Sequence, residues 1–215
     1  MNKSNPASFE MPSIDWKGAA NEPKIILAHG AGAGKGSPFM AGFAEGLAER
    51  GLRAGLFNFP YMIEMERTGR RRPPNPMPTL IACWKAVIAE AGPERLVIGG
   101  KSMGGRAASL VADECRAAGL VCLGFPFHAP GRPPGDRIEH LHGLATPTLI
   151  CQGERDPFGA RTEVADYPLA PTIRLVWIPD GDHGLKPRRK SGLTEQQNWD
   201  TALDIVAAFV HDRTS

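Results

Sequence analysis

The sequence predicts an α/β fold: a three-layer α/β/α sandwich around a mostly parallel sheet. Three observations predict it. Short apolar runs alternate with segments whose apolar residues recur every three or four positions, the order that builds right-handed βαβ units. The short runs end in glycines or in residues that can carry chemistry, and a parallel sheet gathers such residues at its carboxyl edge. One run, Leu96 to Arg106, passes from strand through a glycine turn into a helix, with a serine in the turn.

The elements follow in order. Residues 1–22 read as an irregular N-terminal segment with a short edge strand near Ser13 to Trp16. Lys24 to Ala28 is a buried strand that runs into His29-Gly30-Ala31-Gly32-Ala33-Gly34. Pro38 suits the start of a helix carrying Phe39, Phe43 and Leu47, closed by Gly51. Arg53 to Phe59 is the next strand. Tyr61 to Pro78 has four prolines and no clear period, and reads as a long loop. Thr79 opens a helix with Leu80, Cys83, Trp84, Val87 and Ile88 on one face, ended by Gly92-Pro93. After the Leu96 strand comes a helix over Met103 to Ala118. Leu120 to Phe125 and Pro147 to Gln152 are buried strands, joined by a Pro-, Gly- and His-rich connection. Ile173 to Ile178 is the last strand. Thr194 with Gln197 makes a capping box for a final helix striped with Trp199, Leu203, Val206 and Val210.

Composition narrows the function classes. The 215 residues are 42% hydrophobic, enough for one domain with its own core. Twenty-five Lys and Arg against 23 Asp and Glu leave a net charge of +2, which argues against a nucleic-acid partner. The basic run Arg70 to Arg72 reads as a solvated loop. No apolar run reaches the roughly 20 residues that span a bilayer, so no membrane association is expected. The N-terminus lacks the apolar core of a signal peptide. Cys83, Cys115, Cys122 and Cys151 show no C-x-x-C spacing; they read as buried thiols in a reducing, cytoplasmic setting, with no metal ligands among them.

Gly100-Lys101-Ser102-Met103-Gly104 fits G-x-S-x-G, a turn that needs small residues two positions before and after the serine. A serine hydroxyl needs a base, and imidazole suits because its pKa lies near 6.5. The base in turn needs a carboxylate to fix its tautomer, and the oxyanion needs fixed N–H donors. Candidates stand past the strand ends in the order Ser, Asp, His. His183, in Asp180-Gly181-Asp182-His183-Gly184, is the base. Asp156 is the first choice of carboxylate, with Glu154 and then Asp182 as competitors. The backbone N–H groups of Met103 and Ala31 are the oxyanion donors, with Gly32 the alternative to Ala31. His29 suits a structural role in the oxyanion loop, and His128 lines the site from the far side. His140, His142 and His211 read as surface residues. Lys101 and Lys35 either attract an anionic acyl group or pair with nearby carboxylates. The G-A-G-A-G run also resembles a phosphate loop, but G-x-G-x-x-G is met only approximately and no acidic residue closes the next strand.

With those residues in place, the chain resembles the α/β-hydrolase superfamily, within it the small lidless branch of dienelactone-hydrolase-like proteins. The likeness rests on LAHGAGAGKGSPFM (Leu27 to Met40), FNFPYM (Phe57 to Met62), GRRRPP (Gly69 to Pro74), GGKSMGGR (Gly99 to Arg106), QGERDPFG (Gln152 to Gly159) and GDHGLKP (Gly181 to Pro187). It implies a Ser102, Asp156, His183 triad and an Ala31 and Met103 oxyanion hole, with no cofactor. About twenty residues separate the strands between which this superfamily inserts its cap, too few for a cap domain. The expectation is an open site partly roofed by the Tyr61 to Pro78 loop. The substrate implied is a small ester or thioester, cleaved through an acyl-enzyme. The alternative is a scaffold that keeps the fold without turnover.

Overall fold

The apolar runs form the strands expected of them. The computed structural model describes residues 9–133 and 135–215; residues 1–8, where the expected irregular segment begins, and residue 134 lie outside them. Strands β2 (Lys24–Ala28), β3 (Arg53–Phe57), β4 (Val97–Lys101), β5 (Gly119–Leu123), β6 (Thr148–Gly153) and β7 (Ile173–Ile178) are parallel. β1 (Asp15–Lys17) adds an antiparallel edge to β3. The seven strands lie in the order β1-β3-β2-β4-β5-β6-β7, so the chain reverses direction across the sheet between β3 and β4.

Alternation along the strands sorts the core into two layers. Ile25, Leu27, Val97, Val121 and Leu149 face α1 (Pro38–Ala48) and α6 (Glu195–Thr214). Ile26, Ile98, Leu120 and Ile150 face α2 (Pro60–Thr68), α3 (Met77–Ala91) and α4 (Met103–Ser109). Small residues let α1 and α6 pack closely. A Cβ at Gly46 would lie 2.5 Å from Leu203, and one at Gly42 would lie 2.9 Å from Trp199. Ser37 caps α1 through the Met40 amide, and Thr194 and Gln197 form the reciprocal box that opens α6.

Three expectations need correction, besides the helix expected to open at Thr79, which begins at Met77 with no side-chain cap bond. The stretch Tyr61 to Pro78 is not one loop, because α2 fills its first half. Pro60 sets the first helical φ, Tyr61 and Met62 are buried, and Gly69 ends the helix at φ 68°. Ile63 and Met65 are only partly buried and the other positions of α2 are polar or proline, which blurs the period. β3 stops at Phe57, because Asn58 and Phe59 turn to bond with Lys35 and His29 instead of a strand. The helix after Ser102 ends at Ser109 rather than Ala118. There the Ser109 hydroxyl bonds back to the Arg106 carbonyl, and the Asp113 carboxylate leaves the helix to accept from Ala145 and Thr146. A short α5 (Arg161–Val164), not expected, follows β6.

Between β5 and β6 the described residues form two short 3-10 turns, Gly135–Arg137 and Glu139–His142, and no cap domain. Among the described residues no helix is long and apolar enough to cross a membrane.

Candidate active site

The turn between β4 and α4 holds Ser102 at φ 50° and ψ −114°, a conformation that L residues rarely adopt. Such backbone strain costs about 1–3 kcal/mol and clusters at functional sites. The flanking glycines make the turn possible. A Cβ at Gly100 would lie 2.3 Å from the Ala28 carbonyl oxygen, and one at Gly104 would lie 2.4 Å from the same atom. The end of β2 therefore presses on both sides of the serine. Ser102 is fastened by its own N–H to Leu123 O at 3.1 Å.

β2 leads straight into the glycine-rich loop. His29 is fully buried at its start. Its Nε2 accepts from Phe59 N at 3.0 Å, so Nδ1 carries the proton and donates to Gly30 O at 2.7 Å. Burial holds this histidine below its usual pKa, and protonation would set two N–H groups against each other. His29 is thus part of the loop's frame, not of the cavity wall. The Tyr61 hydroxyl shares its proton between Gly30 O at 3.2 Å and Ala31 O at 3.1 Å. Burial pushes that phenol up to about 12, so it stays a donor. Two carbonyls of the loop are thereby anchored from below. Among the described residues the amides of Ala31 and Met103 have no hydrogen-bond partner, as a pair of oxyanion donors requires.

The loops after β6 and β7 meet at Asp156 and His183. Asp156 is fully buried, and its Oδ2 lies 2.8 Å from His183 Nδ1. Gln152, also fully buried, donates Nε2 to the same oxygen at 2.9 Å, while Phe158 N donates to Oδ1 at 2.8 Å. With Nδ1 committed to the carboxylate, Nε2 is the basic nitrogen of His183. The Phe158 ring packs on the imidazole, centroids 4.4 Å apart. The competing carboxylates are engaged elsewhere. Glu154 accepts from Arg161 at 2.8 Å and from Asp180 N at 3.0 Å. Asp182 accepts from the amides of Gly184 and Lys186 within its own turn.

Ser102 and His183 line one cavity of about 560 Å³ together with Ala31, Gly32, Phe39, Lys101, Phe158 and Trp199. Among the described residues no hydrogen bond joins the Ser102 hydroxyl to the imidazole; such bonds are commonly loose until substrate is bound. α1, α6 and Phe158 wall the cavity. The Tyr61 to Pro78 segment, expected as a roof, contributes nothing to its lining, because α2 carries Tyr61 beneath the glycine-rich loop.

The other sequence candidates are placed as follows. His128 is buried outside the cavity, its Nδ1 on Ala129 O and its Nε2 3.5 Å from Glu163. Lys35 pairs with Asp15 at 2.8 Å. Lys101 forms no ion pair among the described residues and instead donates to the His183 carbonyl. His140 is half-buried rather than superficial: its Nε2 meets the Ser109 hydroxyl at 2.8 Å, and burial pushes its pKa down to about 4. The sequence reading missed Gln152 and Tyr61. A signal existed for Gln152, the one polar long side chain in an apolar strand. Tyr61 gave none, since its partners lie 30 residues away in chain order.

The Alpha/beta hydrolase domain family model matches residues 21–211. Among solved structures, a dienelactone hydrolase from Anabaena variabilis is similar with a TM-score of 0.68 and 21% identity, over 94% of this chain and 99% of that one. Est1E from Butyrivibrio proteoclasticus, solved with ferulic acid bound, aligns with a TM-score of 0.65 and 16% identity, over 91% and 96% of the two chains. A serine hydrolase without lid from Xanthomonas campestris aligns with a TM-score of 0.60 and 18% identity, over 93% and 86%. At these identities the solved structures speak to the fold alone. The family model covers nearly the whole chain, together with the parallel sheet and the serine turn, and on that ground the chain belongs to the α/β-hydrolase family.

Proposed function

We propose that this chain is a serine hydrolase that cleaves ester or thioester bonds of small substrates through an acyl-enzyme. The observation that carries the reading is the buried Asp156 bonded to His183 Nδ1, with the imidazole and Ser102 on one cavity. In this mechanism Ser102 Oγ attacks the carbonyl carbon as His183 Nε2 takes its proton. Asp156 holds the ring in that tautomer and stabilises the imidazolium. The amides of Ala31 and Met103 receive the oxyanion, each donor contributing about 2.7–4 kcal/mol to the barrier reduction. His183 then protonates the leaving alcohol or thiol, and water, activated by the same ring, releases the acid. No metal or cofactor takes part. All four cysteines are free thiols, which supports a reducing, cytoplasmic setting.

Phe39, Met40, Phe158 and Trp199 make most of the cavity wall apolar. Each methylene of an acyl chain buried there is worth about 0.8 kcal/mol. A series of p-nitrophenyl esters should therefore show kcat/KM rising about three- to fourfold per methylene until the chain outgrows the cavity. Ser102→Ala should remove turnover of every member. A flat series at wild-type background, unchanged by Ser102→Ala, would favour a non-catalytic scaffold.

A further inference from the structure

Lys101 is the last residue of β4 and the neighbour of Ser102, yet its side chain spans to a different loop. Its Nζ donates to the backbone carbonyl of His183, 82 residues away. Gly124, at φ 66° just past β5, opens the passage. A Cβ there would lie 2.9 Å from Lys101 Nζ, 3.0 Å from His183 O and 3.3 Å from His183 Nδ1. The Phe39 ring flanks the ammonium at 5.5 Å. The charges that face it are Asp156 after β6 and Asp182 after β7, and Glu195 at the start of α6 lines the same cavity. None of the three makes an ion pair with it. A half-buried ammonium without a paired carboxylate loses part of its hydration, so its placement calls for a compensating role.

We propose that Lys101 is a positioning residue: its ammonium ties the backbone of His183 to the strand that presents Ser102, and so holds the imidazole in register with the nucleophile. The proposal rests on the reading of Ser102 as nucleophile and His183 as base. The physical logic is that the two groups sit on separate loops, and a displacement of about 1 Å between reacting groups can cost 10²-fold in rate. The Asp156 bond orients the ring about Nδ1, and Asp182 Oδ1 and Trp199 Nε1 fasten the turn on either side of His183, so the freedom left is that of the His183 peptide itself, whose carbonyl has Lys101 as its partner among the described residues. A charge-assisted bond to the carbonyl removes that freedom and is about twice as strong as a neutral one. Burial lowers Lys101 to about 8, the two carboxylates opposing the shift. The ammonium is present below that pH and lost above it, so turnover gains a falling alkaline limb.

The test uses the full chain. Lys101→Met keeps an apolar stem of similar length and removes the donor. It should fold with a Tm no lower than wild type, keep KM within twofold, lose kcat by 10- to 100-fold and lose the alkaline limb near pH 8. Lys101→Cys alkylated with bromoethylamine restores an ammonium at nearly the original reach and should recover most of kcat, with identically treated wild type as the control. A readout without turnover keeps the two claims apart: the His183 Nδ1 proton, seen downfield by ¹H NMR, should broaden in Lys101→Met and sharpen again on aminoethylation. Unchanged kcat, pH profile and ring proton in Lys101→Met would overturn the proposal. So would a loss confined to KM for anionic esters, which would make Lys101 a substrate contact. Should Ser102→Ala retain turnover, the hydrolase reading fails by itself, and the ring proton still decides whether Lys101 holds His183.

Discussion

Asp156→Asn is expected to lower kcat by about 10⁴-fold with KM little changed. The size follows from which way the introduced amide must turn. Phe158 N has only Asp156 Oδ1 as acceptor, whereas Gln152 Nε2 also reaches Phe125 O and Gly159 O, each at 3.2 Å. The oxygen of the amide therefore stays with Phe158, and its NH₂ faces His183. That donor forces the imidazole proton onto Nε2, the nitrogen that the proposed mechanism uses as base. The same NH₂ confronts Gln152 Nε2, so unfolding free energy should also drop by about 1–3 kcal/mol. Steady-state kinetics beside urea denaturation separates the two effects. A loss of stability with full turnover would show that Asp156 is a packing residue only.

Gly104→Ala should destabilise the chain by about 3 kcal/mol or more, read from the denaturation midpoint. In a helix, alanine ordinarily stabilises by about 1 kcal/mol over glycine. Here the sign reverses, because the added Cβ would stand 2.4 Å from Ala28 O and 2.6 Å from His29 O. Both are backbone atoms at the end of β2, which pairs Ala28 with Gly100, so neither can retreat without parting β2 from β4. Gly32→Ala is the control, since its Cβ meets nothing within 4 Å. Its stability should stay within about 0.5 kcal/mol of wild type.

These two residues also show what sequence reading can and cannot reach. The crowding at Gly104 is legible because only glycine fits a serine turn against a neighbouring strand, and the pattern is local. Asp156 is legible because strand ends converge in a parallel sheet, and the order of apolar runs is local as well. The network that seats it is another matter. Gln152 binds Phe125, Gly159 and Asp156 at once, and no spacing rule announces partners brought together by three loops. α2 was hidden for a different reason. It buries little beyond Tyr61 and Met62, so proline starts and a glycine stop, rather than periodicity, define it. The shortened α4 shows the opposite failure. Its alanine-rich continuation has high helix propensity, but Ser109 and Asp113 spend their side chains on tertiary bonds that end it. Lys101 was legible as a cation beside Ser102, whereas the carbonyl it holds was not.

The most direct test of the account is intact-mass and peptide analysis after treatment with a fluorophosphonate. One adduct per chain is expected, carried by Ser102, forming in wild type and failing to form at an appreciable rate in His183→Ala. No adduct on folded protein, or an adduct at a residue other than Ser102, would contradict it.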